Sequence, residues 1–81
     1  MFYIYALSSI KRNYIYVGMT ENLDDRIARH QLGREKTTRA YRPFKLIFTE
    51  EIAGERSIAR KREKYWKSGI GKEQLRKIRD N

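Results

Sequence analysis

Apolar and aromatic residues gather in short continuous runs early in the chain and in helically spaced stripes after them. Phe2 to Leu7 and Tyr14 to Val17 are rich in aromatic and β-branched residues, and the polar stretch Ser8 to Asn13 separates them. This is the pattern of two strands joined as a hairpin. With the strands antiparallel and Tyr5 opposite Tyr16, Tyr3, Tyr5 and Leu7 share one sheet face with Tyr14 and Tyr16, because side chains alternate along a strand and opposed residues point the same way. Gly18 is expected to end the second strand. Asn22 can then cap a helix whose first turn carries Asp24 and Asp25 at the positive end of its dipole. It should run to about Leu32, where Gly33 stops it. Arg34 to Arg42 reads as a basic surface loop, Pro43 blocks further helix, and Phe44 to Thr49 reads as a third strand. A second helix from about Gly54 to Lys67 sets Ile58, Ala59, Arg62, Glu63 and Trp66 along one side, with Gly69 closing it. Lys72 to Arg79 forms a short third helix with Leu75 and Ile78 inward. The order ββαβαα predicts an α+β fold, a small three-stranded antiparallel sheet flanked by helices.

Composition narrows the class. The chain has 81 residues, expected to form one small domain that buries about 60% of its unfolded surface and keeps any site near the exterior. Lys and Arg number 19 against 10 Asp and Glu, a net charge of +9, and the field this creates favours polyanions. Cys is absent, which removes a disulfide framework and any cysteine-based zinc site and fits a reducing cytoplasm. No run approaches the roughly 20 apolar residues of a membrane helix. The N-terminus also lacks the basic start of a signal peptide. A soluble, cytoplasmic protein without membrane partners is expected.

The residues able to carry chemistry fall on three elements. On the first helix Leu23, Ile27 and His30 lie within one arc at 100° per residue, with Arg26 on its flank, so Arg26 and His30 are neighbours edging the apolar face against the sheet. Taken alone, His30 reads as a core-edge histidine and Arg26 as an apolar stem with its charge in water. Glu63 alone reads as a helix-surface carboxylate paired with Lys67, worth a few tenths of a kcal/mol. The tyrosines alone read as a half-buried aromatic sheet face.

Together these segments resemble the GIY-YIG endonuclease superfamily. Tyr3-Ile4-Tyr5 and Tyr16-Val17-Gly18 look like the two halves of its name motif, with Tyr3 where the motif has glycine. The run from Gly18 through Thr20, Asn22, Leu23 and Arg26 to His30 is similar to the family's G-x-T-x-N-L-x-x-R-x-x-x-H segment. Ala59 to Lys67 is similar to its A-x-x-R-E-x-x-x-K helix, and Asn81 corresponds loosely to a family asparagine. The resemblance spans nearly the whole chain. It implies a nuclease site made of Tyr5, Tyr16, Arg26, His30 and Glu63.

The chemistry of those residue types suits phosphodiester cleavage, which needs an activated water, charge neutralisation at the phosphate and help for the leaving oxygen. Glu63 would hold a single Mg²⁺ or Mn²⁺, and one site carboxylate argues against a two-metal arrangement. Arg26 offers a fork of donors to phosphate. Tyr5 is read as general base, assisted by Tyr16 and oriented or relieved of its proton by His30, and the roles of Tyr5 and His30 can be exchanged. A phenol of pKa about 10 serves as a base only where Arg26 or the metal lowers that value. Arg34, Lys36, Arg39, Arg42, Lys61, Lys64 and Lys67 are candidate contacts to DNA phosphates. The expected function is a DNA endonuclease, structure-directed or supplied with substrate by a protein partner. A catalytically silent nucleic-acid-binding module on the same fold is the alternative, and a purely structural domain leaves the coincidence of Arg26, His30 and Glu63 unexplained.

Overall fold

A computed structural model describes residues 1–81. Strand β1 (Phe2–Ser9) leads through a tight loop into β2 (Ile15–Thr20), α1 (Leu23–Gln31), a single 3₁₀ turn (Arg39–Tyr41), β3 (Phe44–Ile52), α2 (Arg56–Lys67) and α3 (Gly69–Asp80). The sheet has the order β2-β1-β3 and is antiparallel throughout. The ββαβαα order and the three-stranded sheet are those expected. No helix is long and apolar enough to cross a membrane.

Each sheet face is covered by its own core. Phe2, Ile4, Ala6, Ile15, Val17 and Ile52 meet Ala59, Trp66 and Leu75 of the α2/α3 pair. On the opposite face Tyr5, Leu7 and Phe44 lie with Tyr14, Tyr16 and Tyr41 beneath Leu23 and Ile27 of α1. Strand β3 serves both cores through a bulge. Ala6 pairs with Phe48 and Leu7 with Leu46, which leaves Ile47 as the extra residue. Ile47 and Phe48 both pack against the α2/α3 core, whereas Phe44 on the other side of the bulge belongs to the tyrosine face. Two consecutive inward residues with a change of face beyond them are the signature of a bulged strand.

Several boundaries differ from the sequence expectation. Tyr16 pairs with Leu7, and Tyr5 pairs with Gly18, so the hairpin is shifted by two residues. The shift is even, so the face assignment survives it. Strand β2 continues through Gly18 to Thr20 instead of ending there. Helix α2 starts at Arg56, and Ser68, not Gly69, separates it from α3: the Ser68 N–H donates to the carbonyls of Lys64 and Tyr65, and its hydroxyl accepts from Gly71 N–H. Within α3, Leu75 is fully buried but Ile78 is exposed, as is Ile58 on α2. Asn22 caps α1 as expected, its side-chain oxygen accepting from Asp25 N–H at 3.2 Å. Beyond the helix Gly33 takes a φ of +77°, a conformation that costs glycine least.

Candidate active site

Tyr5 stands at the centre of β1 and is 1% exposed. Its neighbour across the hairpin is Gly18. A methyl group at Gly18 would lie 2.5 Å from the Tyr5 hydroxyl oxygen and 2.9 Å from the Tyr16 ring. The absent side chain is therefore the space in which the two phenols meet, with ring centroids 6.1 Å apart. Tyr16 is half-buried at the rim of this face.

His30 occupies the last turn of α1 and is buried. Its Nε2 lies 2.8 Å from the Tyr5 hydroxyl, and its Nδ1 lies 2.8 Å from the Thr38 hydroxyl. The Tyr16 ring is 4.8 Å from the imidazole, centroid to centroid. Burial pushes the His30 pKa below its ordinary value. The Glu35 carboxylate opposes that shift, while Arg26 and Arg29 add to it. Burial also pushes the Tyr5 phenol well above its usual pKa, with Tyr16 reinforcing the rise and Arg26 opposing it. Arg26 thus acts in the expected direction but is outweighed, because desolvation disfavours the phenolate more than one nearby guanidinium favours it.

Arg26 is partly exposed at the edge of this group, and a carboxylate that sequence reasoning missed holds it. Glu35 accepts from Arg26 Nη1 at 3.4 Å and from Arg29 Nε at 3.1 Å. A cleft of about 290 Å³ opens beside Arg26 between Thr20, Asn22 and Asp25, with Arg29 and Arg56 also on its wall. Thr38 is the second residue missed. The stretch Arg34 to Arg42 has no periodicity, so nothing in it marks a buried position. It is not simply a surface loop: it folds back over α1, where Thr38 meets His30 and Glu35 meets Arg26 and Arg29, and beyond it Gln31 donates to the Phe44 carbonyl at 2.7 Å and accepts from Phe44 N–H at 2.9 Å. Tyr41 stacks on Tyr14, with centroids 3.9 Å apart.

Glu63 stands apart from this group. It is buried on α2, the helix packed on the opposite face of the sheet, and makes no hydrogen bond or ion pair with Tyr5, Tyr16, Arg26 or His30. Its carboxylate faces Lys67 at 3.2 Å and Arg60 at 3.6 Å. No three His, Cys, Asp or Glu side chains gather as a ready metal cage. A hard divalent cation therefore fits Glu63 only as a sparse site, with one carboxylate whose Oε1 is loosely engaged and the other ligands drawn from water and phosphate. Among the expected phosphate contacts, Arg39 donates to the Gly33 carbonyl at 2.8 Å and Arg42 to the Arg39 carbonyl at 3.0 Å, so both brace the loop. Lys67 is engaged by Glu63. Arg34, Lys36, Lys61 and Lys64 are exposed, with no side-chain partner.

The chain is similar in structure to the UPF0213 protein BH0048 from Bacillus halodurans, solved by solution NMR, with a TM-score of 0.56 and 33% sequence identity over 96% of this chain and 85% of that one. No curated protein matches it. The family model of the GIY-YIG catalytic domain matches residues 1–77, a span holding both tyrosine motifs, the Arg26 and His30 helix, and Glu63. The chain belongs to the GIY-YIG family, whose catalytic domain is that of nucleases.

Proposed function

We propose that the protein is a metal-dependent endonuclease that hydrolyses phosphodiester bonds in DNA, acting on a structured substrate or on one delivered by a protein partner. The observation that carries this reading is the buried 2.8 Å hydrogen bond between Tyr5 and His30 beside Arg26. Tyr5, its pKa raised, is a neutral phenol at physiological pH. It can take a proton from water only by passing its own to a neighbour. His30, kept neutral by burial, offers that acceptor at Nε2. Tyr16, whose ring lies against both Tyr5 and His30, orients the attacking water. Arg26 exchanges Glu35 for the phosphate oxygens, where its charge counts most as the pentavalent state forms.

Nucleases of this family generally use a divalent metal, and Glu63 is the residue proposed to hold a single Mg²⁺ or Mn²⁺. That role rests on the resemblance of the α2 segment to the family motif and on the burial of its carboxylate. When bound, the metal would neutralise phosphate charge and favour departure of the leaving oxygen.

The test is cleavage of branched, flapped, nicked and plain duplex DNA with Mg²⁺ or Mn²⁺, comparing wild type with Tyr5→Phe, Arg26→Ala and Glu63→Gln. Each variant should lose at least ~10²-fold in kcat, the scale of removing one preorganised electrostatic or proton-transfer group. Arg26→Ala should leave DNA affinity nearly unchanged. Wild-type turnover by Tyr5→Phe would remove the proposed base. Salt-sensitive binding without cleavage of any substrate would instead establish the silent binding module.

A further inference from the structure

The loop after α1 sends one hydroxyl back into the buried face. Thr38 is fully buried. Its N–H donates to the Glu35 carbonyl at 3.2 Å, and its own carbonyl accepts from Tyr41 N–H at 2.9 Å. The main chain is thus fixed on both sides, and a β-branched side chain there has little rotamer freedom. Its hydroxyl meets His30 Nδ1 at 2.8 Å, on the far side of the ring from Tyr5. The imidazole is therefore gripped at both nitrogens, by a strand and by a loop.

We propose that Thr38 is a positioning residue of the site, accepting the Nδ1 proton of His30 and so holding the ring in the tautomer whose Nε2 lone pair faces the Tyr5 hydroxyl. The inference rests on the reading of Tyr5 and His30 as the proton-handling pair. Two arrangements of the ring proton are possible, and the chemistry of the partners chooses between them. A phenol O–H is a far stronger acid than a neutral imidazole N–H, and the unprotonated imidazole nitrogen is a stronger base than a phenol oxygen, so Tyr5 donates to Nε2. A neutral ring must then carry its proton on Nδ1, and Thr38 is the group standing there. The charged and titratable groups that face the ring are Tyr5 and Tyr16 from the sheet, Arg26 and Arg29 from its own helix, and Glu35 from the loop.

The proton count follows. Water gives a proton to the Tyr5 oxygen as the phenol proton moves to Nε2, so Tyr5 ends neutral and His30 ends as imidazolium. The hydroxide equivalent bonds to phosphorus, the bond from phosphorus to the leaving oxygen breaks, and that oxygen takes a proton from solvent. The imidazolium now donates from both nitrogens, and the Thr38 oxygen is already in place for one of them. His30 then releases its added proton to water.

His30 is the only histidine of the chain, so the imidazole nitrogens of uniformly ¹⁵N-labelled protein give one set of NMR signals. The wild type should be protonated at Nδ1. Thr38→Val keeps the shape and removes the acceptor. It should weaken that preference, raising the share of Nε2-protonated ring, and lower kcat by about 10- to 10²-fold with KM little changed, the scale of losing a group that orients a functional histidine. Thr38→Ser should restore both the tautomer and the rate. An Nε2-protonated ring in the wild type, or a Val variant with the wild-type tautomer and rate, would overturn the proposal. Should the Val variant fail to fold, the wild-type and Ser spectra still decide. The nitrogen signals need no turnover, so a protein that cleaves nothing would sink the nuclease reading while leaving the hold of Thr38 on the ring to be judged separately.

Discussion

A buried neutral histidine gives the fold a specific weakness toward acid. Burial lowers the His30 pKa from its ordinary value of about 6.5. Between that value and the lower folded one, the unfolded chain binds more protons than the folded chain, and stability must fall as pH falls. The loss begins near pH 6.5 and is complete once the folded pKa has been passed. The carboxyls of Glu50 and Asp80 are held below their ordinary range by Arg62 and Arg79, so they contribute only at lower pH. The urea midpoint of the wild type should decrease between about pH 7 and pH 5. In His30→Gln the same interval should be nearly flat, whatever its absolute stability. Parallel pH dependence in the two proteins would assign the acid response to some other group.

Strands and helices differ in how much of them the chain discloses. Strand β1 is a run rich in aromatic and β-branched residues, and Asn22 with Asp24 and Asp25 marks the start of α1, so both are legible from local chemistry. The shared face of Tyr5 and Tyr16 was legible as well, because an even error in hairpin register leaves every side chain on its proper face, whereas His30 was joined to them only through the family resemblance. Local rules fail where space or a distant partner decides. Gly18 looks like a strand ending, yet it lies opposite Tyr5 in mid-strand. Ile78 has the spacing of an inward residue, but α3 meets the sheet chiefly through Leu75. Thr38 and Glu35 act only once the loop has folded back, a tertiary event without periodic trace. Gly71, in the first turn of α3 where it meets the end of α2, is such a case. A methyl group there would strike the Tyr65 carbonyl oxygen and lie 2.6 Å from Trp66 Cα, and backbone cannot yield as a flexible side chain does. Gly71→Ala should cost about 1–3 kcal/mol or more in chemical denaturation, by forcing the two helices apart over the Trp66 and Leu75 core. A variant as stable as wild type would show that the corner adjusts freely.

For the whole molecule, the +9 charge is unevenly committed. Arg39 and Arg42 brace the loop, Lys67 faces Glu63, and Arg26 and Arg29 share Glu35. Of the cations read as phosphate contacts, Arg34, Lys36, Lys61 and Lys64 have no side-chain partner, and Arg56 stands at the cleft beside Arg26. On the DNA reading, some 4 to 6 phosphates would be met, and log K for duplex should fall with log salt at a slope of about −4 to −5. Charge reversal at Lys61 and Lys64 should make that slope shallower by about one unit per lost contact, with little change in sequence preference. A slope near zero would mean that the charge merely keeps the protein in solution.

The bulge in β3 has a consequence for how the gene tolerates lost codons. With Ile47 removed, the remaining residues pair one for one with β1: Phe44, Leu46 and Thr49 still alternate toward the tyrosine face, and Phe48, Glu50 and Ile52 toward the helix pair. Deletion of a codon elsewhere in the strand must either invert part of one face or drag the irregularity to a new site. Position 47 is thus the place where a single-residue deletion preserves the frame of both interiors, at the expense of one packed side chain and the local bend.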